Sequence, residues 1–118
     1  MDTSLSLKNY KEILSDLIAF DTTSKNSNLA SIKYIENLFK TNQNYKIIKV
    51  YNNDRDKCSI LIKPKKINIE NGILFSGHID TVPTNQQNWS YNPYKAKIVN
   101  NKLYGRGSTD MKGFISVV

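Results

Sequence analysis

Ile73-Leu74-Phe75-Ser76-Gly77-His78-Ile79-Asp80-Thr81-Val82-Pro83 is the stretch on which the fold turns. Ile73 to Ser76 reads as a short apolar strand behind a turn at Asn71-Gly72, and Pro83, with no ladder donor, marks where pairing stops. His78, the only histidine, stands where the apolar run ends. In open α/β sheets ligands collect at the carboxyl ends of strands, so this is a chemically useful address. Asp80 follows two residues on, and the period of two in an extended chain places both side chains on one face. A carboxylate there can accept the second imidazole N–H, fixing the tautomer and leaving the other nitrogen for a metal. A His-x-Asp by itself also fits a solvated or structurally hydrogen-bonded histidine.

Working outward toward the N-terminus, Leu7, Tyr10, Ile13, Leu14, Leu17 and Ile18 recur at helical spacing, which predicts an amphipathic helix over Leu7 to Phe20. The polar cluster Asp21-Thr22-Thr23-Ser24 stops it. Ser27 or Asn28 can cap a second helix with Leu29, Ile32, Ile35, Leu38 and Phe39 on one face, broken at Asn42-Gln43-Asn44. Strands are predicted over Tyr45 to Tyr51 and Ser59 to Lys63, separated by a turn at Asn52-Asn53-Asp54 and followed by a lysine-rich connector. Beyond Pro83, Ala96 to Val99 and Lys102 to Tyr104 flank Asn100-Asn101 as a hairpin. Two helices leading into several strands and then a new helix predict an α/β sandwich.

A second cluster, Gly105-Arg106-Gly107-Ser108-Thr109-Asp110-Met111-Lys112-Gly113, opens that last helix. Its glycines permit a tight, closely approaching backbone. A carboxylate in a loop entering a helix can bridge two divalent ions ~3.5 to 4 Å apart. It can equally be a plain helix N-cap, for which Asp is a preferred residue. A phosphate cradle fits less well, because the Walker spacing is absent.

Together, Ser76 to Pro83 and Gly105 to Gly113 resemble the two signature segments of a zinc-dependent family. It contains acetylornithine deacetylase, succinyl-diaminopimelate desuccinylase, aminoacylase and carboxypeptidase-type members. The order of the segments fits, as does the connection through Trp89, Pro93 and the hairpin ending in Leu103-Tyr104-Gly105. The opening Leu17 to Ser24 with Asn26-Ser27-Asn28-Leu29 is most similar to the acetylornithine deacetylase branch. The resemblance implies a zinc-peptidase-like α/β/α sandwich with a mixed sheet, of which residues 1–118 would be the N-terminal part of the catalytic, metal-binding domain. The inserted dimerisation domain and the C-terminal catalytic half would lie outside the chain. The final helix, ending on Val117-Val118 with neither cap nor breaker, reads the same way.

By the same resemblance, His78 binds one metal and Asp110 bridges both. Asp80 is the catalytic aspartate that orients His78, and the peptide bond after Asp110 is cis. The implied cofactors are two divalent ions, zinc or cobalt. The implied substrate is a small N-acyl amino acid, acetylornithine foremost, and the implied setting is a cytoplasmic homodimer in arginine biosynthesis. The family's adjacent glutamate pair, one of which is the general base, has no counterpart here. The glutamates are Glu12, Glu36 and Glu70, all before the second motif. Two protein ligands are fewer than the three usual for catalytic zinc, so the chain alone is expected to be inactive. A non-catalytic remnant serving as an isolated domain or interaction module is the alternative. Arg106 and Lys112 belong to the motif but receive no catalytic role; solvated or structural charge is their reading.

The bulk properties constrain other classes. A chain of 118 residues is about one small domain. No apolar run approaches the ~18 to 20 residues of a membrane span. Cys58 is the only cysteine, which excludes an internal disulfide, and its place among alternating apolar residues predicts a buried thiol. The net charge of +7 comes almost wholly from scattered lysines, the only arginines being Arg55 and Arg106. No aromatic ladder or nucleic-acid module accompanies them, so solvated charge, or help in attracting a carboxylate substrate, is favoured over nucleic acid.

Overall fold

The computed structural model describes residues 8–66 and 71–118. The predicted connector after the second strand lies partly outside them. Three helices, α1 (Tyr10–Ala19), α2 (Leu29–Phe39) and α3 (Lys112–Val117), accompany four strands: β1 (Tyr45–Tyr51), β2 (Cys58–Pro64), β3 (Lys97–Val99) and β4 (Lys102–Tyr104). The class is mixed α/β, as the sequence predicts.

α1 starts later than its apolar pattern because Asn9 caps it. The Asn9 side chain accepts from the amides of Lys11 and Glu12, at 3.0 and 3.1 Å, while the Glu12 carboxylate accepts from the Asn9 amide at 3.0 Å. Three amide donors are thus satisfied, those of Asn9 and Glu12 reciprocally. Its inner face carries Leu14, Leu17 and Ile18, which form the core with Ile32 and Ile35 of α2 and Cys58 of β2. The thiol is buried, as expected.

The two candidate caps of α2 divide the work. Ser27 Oγ accepts from the Leu29 amide at 3.3 Å. Asn28 turns outward instead: its side chain accepts from Cys58 N at 2.9 Å and donates to Cys58 O at 3.0 Å. That pair fastens the start of α2 to the start of β2.

β1 and β2 form an antiparallel hairpin in full register from Tyr45 opposite Pro64 to Tyr51 opposite Cys58. β3 and β4 form another, with Val99 opposite Lys102. Asn100 and Asn101 between them have φ of 49° and 60°. Two positive φ values in a two-residue loop match the twist of the flanking strands, and Asn tolerates that region better than most residues.

Ile73 to Ser76 departs from expectation: these residues join no ladder among the described residues. Each described sheet has two strands only, and neither pairs with this segment. It packs on α3 instead, with the Phe75 and Phe114 rings 6.5 Å apart. Ile73 and Leu74 remain 84% and 76% exposed, so the apolar composition that predicts a buried strand is uncovered here. Parallel pairing appears further along, as a bridge between Thr23 and Thr81. That bridge positions the site.

Candidate metal centre

The loop leaving α1 grips the segment that carries His78 and Asp80. Thr22 Oγ1 donates to Ile79 O at 2.5 Å, and Thr81 N donates to Thr22 O at 3.0 Å. Ser24 N donates to Thr81 O at 3.2 Å. Thr22, Thr23 and Thr81 are all buried, so these bonds lie where an unmade one is costly. The loop is itself braced by Asp21, whose carboxylate accepts from the Thr23 hydroxyl at 2.6 Å and from Asn26 Nδ2 at 2.9 Å. The Thr23 hydroxyl is the main reason the Asp21 carboxyl is held below its usual range.

The second motif enters from the other side. Gly107 sits at φ 81°, where a side chain would be strained, and a Cβ there would meet Lys112 Cδ at 2.9 Å. At Gly113 a Cβ would come within 2.3 Å of Ser108 O, so only glycine lets the loop double back on α3. The Asp110–Met111 peptide bond is cis, at the position the resemblance implies. Met111, without a side-chain bond, occupies the cap position of α3, so Asp110 is not that helix's N-cap. Its carboxylate turns toward His78 instead.

Lys112 is almost wholly buried, which removes the solvated reading of its charge. Its Nζ donates to Leu17 O at 2.9 Å and Phe20 O at 2.8 Å, two carbonyls at the end of α1, of which Leu17 O also accepts from the Phe20 amide at 3.3 Å. Burial pulls its ammonium down to about 8, with Asp21 acting in the opposite direction. Arg106 is also structural. Its guanidinium lies 4.8 Å from the Trp89 ring centroid, donates to Pro83 O at 3.3 Å and contacts Gln87.

Three residues expected at the site come together. His78 Nδ1 lies 3.0 Å from Asp80 O and 3.2 Å from Asp80 Oδ1, while His78 Nε2 lies 3.0 Å from Asp110 Oδ1. They border an open cavity of about 240 Å³ shared with Ser24 and the 105–110 loop. The Asp80 carbonyl, with the Asp80 and Asp110 carboxylates behind it, holds the imidazole above its usual range despite some desolvation.

This arrangement tests whether the residues suit a cation. With Nδ1–H directed at Asp80, a neutral imidazole presents a lone pair from Nε2 to a carboxylate oxygen, which is also an acceptor. Two acceptors 3.0 Å apart require a positive species between them, either a proton or a metal. Imidazole nitrogen and carboxylate oxygen are both ordinary ligands of a zinc-sized ion, with bonds of ~2.0 to 2.2 Å. The donor types and spacing therefore suit two ligands. Among the described residues, no group of three or more His, Cys, Asp or Glu side chains completes a set.

Ser24 and Thr22, which hold this geometry, received no role in the site from the sequence, where they read as a helix stop and as part of the Leu17 to Ser24 resemblance. The one available signal was the density of hydroxyls in Thr22-Thr23-Ser24, and it did not reveal which segment they bind.

Residues 74–118 match the sequence pattern of Peptidase family M20/M25/M40. An acetylornithine deacetylase of Vibrio cholerae serotype O1 is 49% identical over 49 residues, covering 42% of this chain and 13% of that protein. A succinyl-diaminopimelate desuccinylase of Rickettsia canadensis is 36% identical over 109 residues, covering 91% of this chain and 28% of the relative. An acetylornithine deacetylase of Buchnera aphidicola subsp. Acyrthosiphon pisum is 31% identical over 118 residues, covering 95% and 30%. The chain thus spans less than a third of the length of these relatives. The matched stretch includes His78, Asp80 and Asp110 together with Gly107 and Gly113, so it is over the part that carries the candidate site that the chain is similar to Peptidase family M20/M25/M40.

Proposed function

We propose that this chain carries the first metal-ligand segments of a two-metal amide hydrolase that removes an N-acyl group from an amino acid. Acetylornithine is the first substrate to test, because relatives bearing the name acetylornithine deacetylase align with it. The observation that carries the reading is the approach of His78 Nε2 to Asp110 Oδ1 at 3.0 Å across 32 residues of sequence.

His78 and Asp110 would hold zinc or cobalt, with Asp110 shared between two ions. Bound divalent ions would supply an acidified water and polarise the amide carbonyl. The chain's own residues do the orienting. Asp80 accepts a hydrogen bond from Nδ1–H and so commits the imidazole to one tautomer, leaving Nε2 as the ligand nitrogen. Asp110 balances the charge that gathers on the other side. No described residue stands as the general base, so the chain alone is expected to bind metal weakly without turnover. The same proposal places the whole protein in the cytoplasm as a homodimer acting in arginine biosynthesis.

Cobalt titration of the purified chain, followed by visible absorption, tests the ligands. Weak uptake, lowered at least ~10-fold in His78→Ala and in Asp110→Asn, is the expected result. Uptake unchanged in both variants would remove these residues from the metal. A chimera in which this chain replaces the matching part of the Buchnera relative tests the substrate. Acetylornithine hydrolysis that disappears on His78→Ala is expected. A folded, metal-loaded chimera inert toward acetylornithine would overturn the substrate assignment.

A further inference from the structure

Asp80 is largely exposed, and an exposed carboxylate ordinarily samples several rotamers. Here it is held from both sides. Oδ1 lies 3.2 Å from His78 Nδ1, and Oδ2 accepts from Ser24 Oγ at 3.0 Å. Ser24 stands 56 residues earlier, in the loop that leaves α1.

The hydroxyl is carried on fixed backbone. Ser24 N donates to Thr81 O at 3.2 Å, and Ser24 O accepts from Lys57 Nζ at 2.8 Å. Thr22 and Thr23 immediately before it are 2% and 4% exposed and lock the loop to residues 79–81. The other acceptor within reach of the hydroxyl, Thr81 O, lies at 3.5 Å, so Asp80 is the closer partner. A hydroxyl on so constrained an element can select one carboxylate orientation at little entropic cost.

We infer that Ser24 is a positioning residue of this site: its hydroxyl turns the Asp80 carboxylate so that Oδ1 shares the Nδ1 proton of His78 and Nε2 is left facing Asp110. The inference rests on the reading of His78 and Asp110 as metal ligands. It extends that reading to a loop outside the 74–118 stretch that matches the family. Because Asp80 O also accepts from Nδ1, removing the hydroxyl changes the tautomer ratio rather than reversing it.

The test uses the fact that the chain has one histidine, so ring-nitrogen-labelled protein gives a single imidazole signal set. Metal-free chain is compared by nitrogen NMR at a pH where the imidazole is neutral. Wild type is expected to populate both tautomers, Nδ1–H held by Asp80 and Nε2–H by Asp110. Ser24→Ala is expected to shift the ratio toward Nε2–H by roughly twofold to tenfold, as for one exposed hydrogen bond to a charged acceptor. Ser24→Thr, which keeps the hydroxyl, is expected to match wild type. Equal ratios in Ser24→Ala and wild type, or an equal shift in the Ala and Thr variants, overturn the role of the hydroxyl. Ser24 is exposed, so the fold is expected to survive, with circular dichroism as the check. Ser24→Cys, similar in volume and a weaker donor, takes the place of an Ala variant that unfolds, read by the same criteria. The measurement needs neither metal nor turnover. Loss of the cobalt reading and loss of this one are therefore separate results.

Discussion

The Nζ of Lys112 donates to the carbonyl of Leu17 at 2.9 Å, joining the first turn of α3 to the last turn of α1 across 95 residues of sequence. The same nitrogen bonds Phe20 O, so a residue of the Gly105–Gly113 motif closes the helix from which the Asp21–Ser24 loop departs. The Asp110 side of the site and the Asp80 side thus share one anchor.

Replacing that anchor takes the lysine's bonds from both carbonyls and leaves Leu17 O with only the 3.3 Å bond from the Phe20 amide. Lys112→Met, which keeps most of the apolar stem, is expected to cost ~1.5 to 3 kcal/mol in urea unfolding. A change below ~0.5 kcal/mol would show that water takes over both bonds.

The same lysine sets a pH dependence. Its folded-state pKa of about 8 lies below the ordinary lysine value of 10.5. Below the folded value, both states carry the proton and the burial penalty is fully present. Between the two values, the unfolded chain binds the extra proton, so stability rises with pH. The maximum slope is ~1.4 kcal/mol per unit for one proton. A neutral amine still has two N–H donors for its two carbonyls. Urea midpoints of wild type minus Lys112→Met, measured from pH 7.5 to pH 10.5, are expected to increase. A flat difference would place the lysine's titration where it lies in the unfolded chain.

Thr22 Oγ1 donates to Ile79 O at 2.5 Å from a side chain that is only 2% exposed. Thr22→Val keeps the shape and removes the donor, with an expected loss of ~1 to 3 kcal/mol. Hydrogen exchange at the Thr81 amide, which donates to Thr22 O, is expected to quicken beyond the global change in stability. Exchange quickened only in proportion to the lost stability would argue that the loop grips the 79–81 segment without this hydroxyl.

Asn101 adopts φ 60° in the two-residue loop between β3 and β4. Glycine enters that region without a Cβ penalty, and Asn-Gly is a favoured pair for such turns. Asn101→Gly is expected to raise stability by ~0.4 to 1 kcal/mol in thermal unfolding. A loss would mean that its greater freedom in the unfolded chain outweighs relief of the turn.

What was readable from sequence was what depends on neighbours a few residues apart. The 3.6-residue recurrence of Leu14, Leu17 and Ile18, the apolar face of α2 and the Asn100-Asn101 turn all act through local backbone preferences and i to i+4 spacing. β1 and β2 were legible for a related reason: a hairpin pairs residues on either side of one short turn. His78, Asp80 and Asp110 stood out because motif spacing and residue chemistry are themselves local.

The tertiary structure decided everything that joins distant segments. It placed Ile73 to Phe75 outside any described ladder, because apolar composition specifies burial but does not supply a partner edge. It made Lys112 a buried cap for α1, although a lysine in isolation is expected in solvent. It also set Ser24 against Asp80 and Thr22 against Ile79. Those bonds span more than fifty residues and exist only once α1 has docked, so no local preference along the chain records them.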